Sequence, residues 1–200
     1  MKYFLFDIGH VLVDFDYQIF LDALSEATGK PCEPLTGRDL EMHYAVETGE
    51  ISDAQWVDYL NQSMGVPWTL EELTQLWSRI FTKQKEGRLL FEDAKRSNVP
   101  VYLLSNIAKH HVDAIENNWP GIFEEINGKF FSYQIGVRKP HPDIYRHALN
   151  ELGVEGNQCF FVDDLPDNIE AARSLGMNAH QFIPENYAVI RNSSREFFDG

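Results

Sequence analysis

Apolar positions along this chain fall into two patterns. Short unbroken runs occur at residues 3–6 (YFLF), 100–104 (PVYLL), 158–162 (QCFFV) and 179–183 (AHQFI). Most are rich in β-branched or aromatic residues, as expected of strands covered on both faces of a parallel sheet. Segments with helical spacing lie between the later runs. One is short, at 111–117. Another begins at Pro142, a first-turn proline, and stops before Gly153; a third, at 169–175, is closed by Gly176. This alternation predicts an α/β fold, a Rossmann-like doubly wound parallel sheet with right-handed crossovers.

The stretch at 17–85 is patterned differently. It holds no convincing strand, but its helix punctuation is strong. Ser52 with Gln55, and Thr69 with Glu72, make capping-box pairs, and Trp68 and Leu73 stand at staple positions around the second. Gly65 is placed to end the helix between them. Trp56, Trp68 and Trp77 all fall here, where large aromatics are expected to fill a helical core. The expected organisation is an α/β core from residues 1–16 and 86–200, interrupted after its first strand by an all-helical insertion at 17–85.

Composition narrows the function. Hydrophobic residues make up 44% of the chain, enough for a packed core. The 17 Lys and Arg face 31 Asp and Glu, a net charge of −14 that repels nucleic acid and anionic membrane. The expected partner is therefore a small molecule, and an anionic one needs a local cation or metal; monomer and homodimer are both compatible. Cys32 and Cys159 lie far apart without metal spacing, and Cys159 in CFFV reads as a buried, inert thiol in a reducing compartment. No run approaches a membrane span. The N-terminal run is cut by Asp7 and lacks a cleavage signature, so a cytoplasmic location is expected.

Chemistry-bearing residues collect after the predicted strands, where open parallel sheets bind ligands. Asp7 follows the first, Ser105 and Asn106 the second, and Asp163 and Asp164 the third; Lys139 follows Gly136-Val137-Arg138. Two carboxylates from separate strands can hold a hard divalent cation, while a hydroxyl and an ammonium bind phosphoryl oxygens. A third carboxylate role is in-line attack on phosphorus. Each residue also has a structural reading: Asp7 or Asp167 as a cap or turn former, Ser105-Asn106 as loop punctuation, Lys139 as a solvated side chain. Adjacent acids after a buried strand repel unless a cation sits there, and the four positions in order are more specific than any one. His110, His111, His141 and His147 form no tight ligand motif and are expected on loop and helix surfaces.

In this order, FDIGHVLVD, LLSN, GVRKPHPDIY and FVDDLPDNIEAARSLGM resemble the four motifs of the haloacid dehalogenase-like hydrolases. The helical insertion sits where that superfamily carries its C1 cap. VETGEISDAQW is similar to cap sequence in the branch containing a bacterial α-D-glucose-1-phosphate phosphatase and the N-terminal phosphatase domain of soluble epoxide hydrolase. The resemblance implies a phosphatase acting on a small phosphorylated metabolite, with Asp7 as nucleophile and an aspartyl-phosphate intermediate. It implies that Ser105 and Asn106 bind phosphoryl oxygen and that Lys139 steadies phosphate and nucleophile, acting in turnover more than in stability. Mg²⁺ would be held by Asp7, the Gly9 carbonyl and Asp164, supported by Asp163, with Asn168 at the end of the fourth motif.

One position departs from the pattern. Most phosphatases of the superfamily carry an Asp two residues after the nucleophile, as general acid and then base; here it is Gly9. The metal site survives, because its ligand there is a backbone carbonyl, but the proton donor does not. His10 is the nearest substitute in sequence. Two other functions compete: a 2-haloacid dehalogenase, whose halide needs no proton but whose relatives typically lack the acidic pair, and a degenerate binding protein. The phosphatase reading predicts a sugar phosphate as substrate, a sugar 1-phosphate in particular.

Overall fold

A computed structural model describes residues 1–124 and 126–200. Strands β1 (Tyr3–Phe6) and β2 (Val13–Phe15) lead into helices α1 (Tyr17–Thr28), α2 (Gly37–Glu47), α3 (Asp53–Ser63) and α4 (Leu70–Ile80). Then come β3 (Phe81–Lys83), α5 (Lys85–Arg96), β4 (Val101–Ser105), α6 (Lys109–Asn118), β5 (Gly128–Phe131) and α7 (Ser132–Ile135). The chain closes with α8 (Pro142–Leu152), β6 (Cys159–Asp163), α9 (Pro166–Ser174), β7 (Asn178–Gln181) and α10 (Tyr187–Asp199).

Five strands make one all-parallel sheet in the order β5-β4-β1-β6-β7. Central β1 pairs with β4 on one side (Phe4 opposite Val101) and β6 on the other (Phe4 opposite Phe160). The winding direction reverses at β1, so its carboxyl end is the crevice of a doubly wound sheet. The expected fold class is thereby met, and all four predicted strands are present, each within two residues of its predicted bounds.

Alternation along the strands divides the core in two. Phe4, Phe6, Phe160 and Val162 enter one hydrophobic cluster, whereas Leu5, Cys159 and Phe161 enter the other. The first cluster continues into the inserted helices through Phe20, Trp56, Leu73 and Trp77, so sheet face and insertion share one apolar interior.

The helix punctuation works as read. Ser52 and Gln55 close a reciprocal capping box on α3, and Thr69 and Glu72 another on α4. Gly153 and Gly176 take left-handed conformations just beyond α8 and α9. Two expectations need correction. The stretch at 17–85 does contain a strand: β3 pairs antiparallel with β2 into a ribbon that ties both ends of the four-helix segment together. Its three residues are too short to show alternation. His110 and His111 are buried within α6, not on a surface, whereas His141 and His147 are exposed.

Candidate active site

The loop after β1 is tight. His10 has φ of +52°, and α5 presses against the loop from below. Gly87 allows that contact, because a Cβ there would lie 1.6 Å from the Val11 carbonyl oxygen. Gln84 caps α5 by accepting from the Gly87 N–H (2.7 Å), and its own N–H donates to the Leu12 carbonyl at 3.2 Å. The loop that carries the first motif is thus held from outside the sheet.

Asp7 stands at the tip of β1, nearly buried. Lys139 Nζ lies 2.9 Å from Asp7 Oδ1 and donates to Asp163 Oδ2 at 2.5 Å, with the side chain almost wholly buried. The structural reading of Lys139 as a solvated side chain is therefore excluded. Its ammonium serves two buried carboxylates at once, so a contribution to stability beside turnover is expected. Lys139 is delivered by the loop between α7 and α8, not by a strand end. That loop is fixed by Asn106, whose Oδ1 accepts from the Lys139 N–H (2.7 Å) and whose Nδ2 donates to the Lys139 carbonyl (2.9 Å). The Asn106 side chain thus positions the lysine, and Ser105 beside it is buried at the end of β4.

Asp163 is saturated. Its Oδ1 accepts from the Leu165 N–H (2.9 Å) and Asn168 Nδ2 (2.8 Å), and its Oδ2 takes the lysine. Tyr145 donates to the Asn168 carbonyl and steadies that helix start. Asp7, Asp163 and Asp164 present oxygens within 4.8 Å of one another. With Asp163 occupied, the second oxygen of Asp7 and the Asp164 carboxylate remain open, a hard oxygen set that fits Mg²⁺. The Asp7 carboxyl is raised to about 7, chiefly by burial; Lys139 opposes the rise, and Asp163 and Asp164 add to it. Burial and Asp163 likewise raise Asp164. Burial lowers Lys139, but Asp163 and Asp7 outweigh it and hold the lysine above its ordinary value. Metal-free, the cluster is thus short of positive charge.

Around these groups lies a cleft of about 380 Å³ that also touches Gly9, His10, Ser105, Asn106, Arg138 and Asn168. His10 is half exposed at its rim, its ring tilted against Phe15 (centroids 4.1 Å apart) and its Nδ1 3.4 Å from Asp14. A Cβ on Gly9 would sit 3.2 Å from Phe15 Cε1, so an aromatic ring crowds the place of the missing acid. Arg138 and Glu47 also line the cleft; they pair at 2.7 Å, and Arg138 lies over the Tyr44 ring. Neither was singled out in sequence, although both sit inside motifs that were, VETGE and GVRKP. Asp167, in the first turn of α9, makes no part of the cleft.

A central carboxylate, a buried lysine and an acidic pair at a sheet's switch point define a phosphoryl-transfer type of α/β hydrolase. The sequence model of the haloacid dehalogenase-like hydrolases matches residues 1–176, and the chain belongs to that family, as a hydrolase of its phosphatase kind. It is similar to D-ribitol-5-phosphate phosphatase of Bacteroides thetaiotaomicron, with 26% identity over 94% of each chain. A phosphatase of Mycobacterium tuberculosis is 27% identical over 88% of this chain and 84% of its own. Among solved structures, a family enzyme from B. thetaiotaomicron superposes with a TM-score of 0.82 at 22% identity, covering 92% of this chain and 94% of that one. That enzyme has also been solved with magnesium and inorganic phosphate. Among the described residues, no helix is long and apolar enough to cross a membrane.

Proposed function

We propose that this enzyme is a Mg²⁺-dependent phosphatase of a small phosphorylated metabolite, a sugar 1-phosphate in particular, with residues 17–85 as its cap. The observation that carries this reading is Asp7 at the tip of the central strand, 2.9 Å from a buried ammonium. Asp7 attacks phosphorus in line, the bond to the ester oxygen breaks, and an aspartyl phosphate forms while the alcohol leaves with the bonding pair and takes its proton from solvent. Lys139 balances charge on the transferring group, and Ser105 binds one of its oxygens. Water then attacks phosphorus, releasing phosphate and the free carboxylate. Asp7, Asp164 and the Gly9 carbonyl would hold Mg²⁺, which when bound neutralises charge between carboxylate and phosphoryl dianion.

Metal binding supplies a test independent of turnover. Mg²⁺ at about 100 times its Kd stabilises a folded protein by roughly 2.7 kcal/mol. The melting temperature of wild type is expected to climb with Mg²⁺, and that of Asp164→Ala to stay flat. An equal rise in both would remove Asp164 from the metal site.

The missing acid at Gly9 points to the substrate. A positioned general acid contributes about 10²–10⁴-fold, so this enzyme favours leaving groups that need little protonation. An anomeric hydroxyl is more acidic than an ordinary sugar hydroxyl. Sugar 1-phosphates are expected to exceed the matching 6-phosphates in kcat, and faster 6-phosphates would sink the argument. In the second step His10 is the candidate base. His10→Asn should slow the phase after a rapid-quench burst, and an unchanged phase excludes it.

A further inference from the structure

A second cavity adjoins the cleft, and the following rests on the phosphatase reading. It measures about 130 Å³ and shares Gly9, Phe15, Glu47, Ser105 and Asn106 with the cleft. Asp7, Lys139 and Asp164 line only the cleft. A phosphoryl group held by them leaves the second cavity to whatever hangs from its ester oxygen. The walls there are carbon-rich: Tyr17, Trp77 and Phe81 from the inserted segment and its ribbon, and Ile8, Ile107 and Ile115 from the core. Among the described residues, no Lys or Arg lines it.

Two residues of these walls each carry a buried polar atom without a protein partner, Nε2 of His111 and Nε1 of Trp77. The first has a defined chemistry. His111 Nδ1 faces the Ala108 N–H at 3.4 Å and accepts from it, so a neutral ring carries its hydrogen on Nε2. Burial and the neighbouring His110 and His43 hold the ring neutral. Trp77 packs edge-on against it, with centroids 4.0 Å apart, and its indole can only donate. Buried donors without acceptors are rare and costly, and a ligand oxygen would relieve both.

We propose that this cavity selects the leaving group, with His111 as the donor that reads it and Trp77 beside it. The fitting class is a compact uncharged alcohol with a carbon face and a hydroxyl or ether oxygen remote from the phosphate. A cavity of about 150 Å³ holds benzene, so the group is about one six-membered ring in size. With no Lys or Arg among its described lining residues, and Arg138 already paired to Glu47, a second anionic group finds no partner there.

Three aryl phosphates with Mg²⁺ test this: phenyl, 4-hydroxyphenyl and 4-carboxyphenyl phosphate. In wild type, kcat/KM is expected to be roughly tenfold higher for 4-hydroxyphenyl than for phenyl phosphate. The 4-carboxyphenyl ester should fall below both, although its phenol is the better leaving group. In His111→Phe the hydroxyl preference should shrink to within about twofold while phenyl phosphate turnover persists. Trp77→Phe should narrow it less, and it carries the same contrast if His111→Phe fails to fold. Equal rates on the three esters in wild type, or an undiminished hydroxyl preference in a folded His111→Phe, would overturn the proposal and leave the phosphatase reading standing. No phosphate release from any ester would instead overturn both.

Discussion

Asp7→Asn is expected to abolish phosphate release and to make the metal-free protein more stable. An amide does not attack phosphorus, so the loss should exceed about 10⁴-fold and reach background. Stability moves the other way because burial raises the Asp7 carboxyl to about 7 from an ordinary value of 3.8. Between those pH values the folded state holds a proton that the unfolded state has released. Stability conferred at low pH is therefore lost as pH rises towards 7, and the slope ends above it. Asn carries no such penalty. Chemical denaturation in chelator from pH 4 to 8 should show wild type losing stability across that window and Asp7→Asn losing less. Turnover near wild type in the variant would exclude Asp7 as nucleophile.

Lys139→Ala is expected to lose activity and stability together. A donor aimed at developing charge is worth about 10²–10³ in kcat. Removing one partner of a buried ion pair costs roughly 3–5 kcal/mol, and here one ammonium serves both Asp7 and Asp163. Asp7→Asn/Lys139→Ala should then be more stable than Lys139→Ala alone, because one stranded carboxylate is gone. Thermal melts of the four proteins in chelator measure this coupling. A melting temperature of Lys139→Ala equal to wild type would mean that water or movement relieves the acids.

Sequence revealed much of the site because the relevant side chains sit at strand ends and strand runs are local signals. YFLF, VYLL and CFFV announce themselves, and the acids after them stand out by contrast. What it missed was set by contacts between distant segments. β5 (GKFF) has an exposed lysine at its second position, which breaks the apolar run, and the β2–β3 ribbon is too brief to alternate. The burial of Lys139 is invisible locally, because the ammonium is drawn in by two carboxylates from other strands. His110 and His111 looked like polar surface residues but are covered by α4, which brings Trp77 against His111. Asn106 was legible as a site residue, yet its work on the Lys139 backbone depends on a loop 33 positions away.

The strand order also bears on how the enzyme comes into being. β1 leaves the ribosome well before both of its neighbours in the sheet: β4 begins at Val101 and β6 at Cys159. Until then its aromatic side chains and unpaired edges have no native partner, and such long-range pairing folds slowly and invites association with other chains. The inserted helices carry their own capping boxes and can form while β1 waits, although α4 must still find α6. Asp7, the proposed nucleophile, is thus synthesised well ahead of the strands that flank it, and the pocket around it closes only once β6 has emerged.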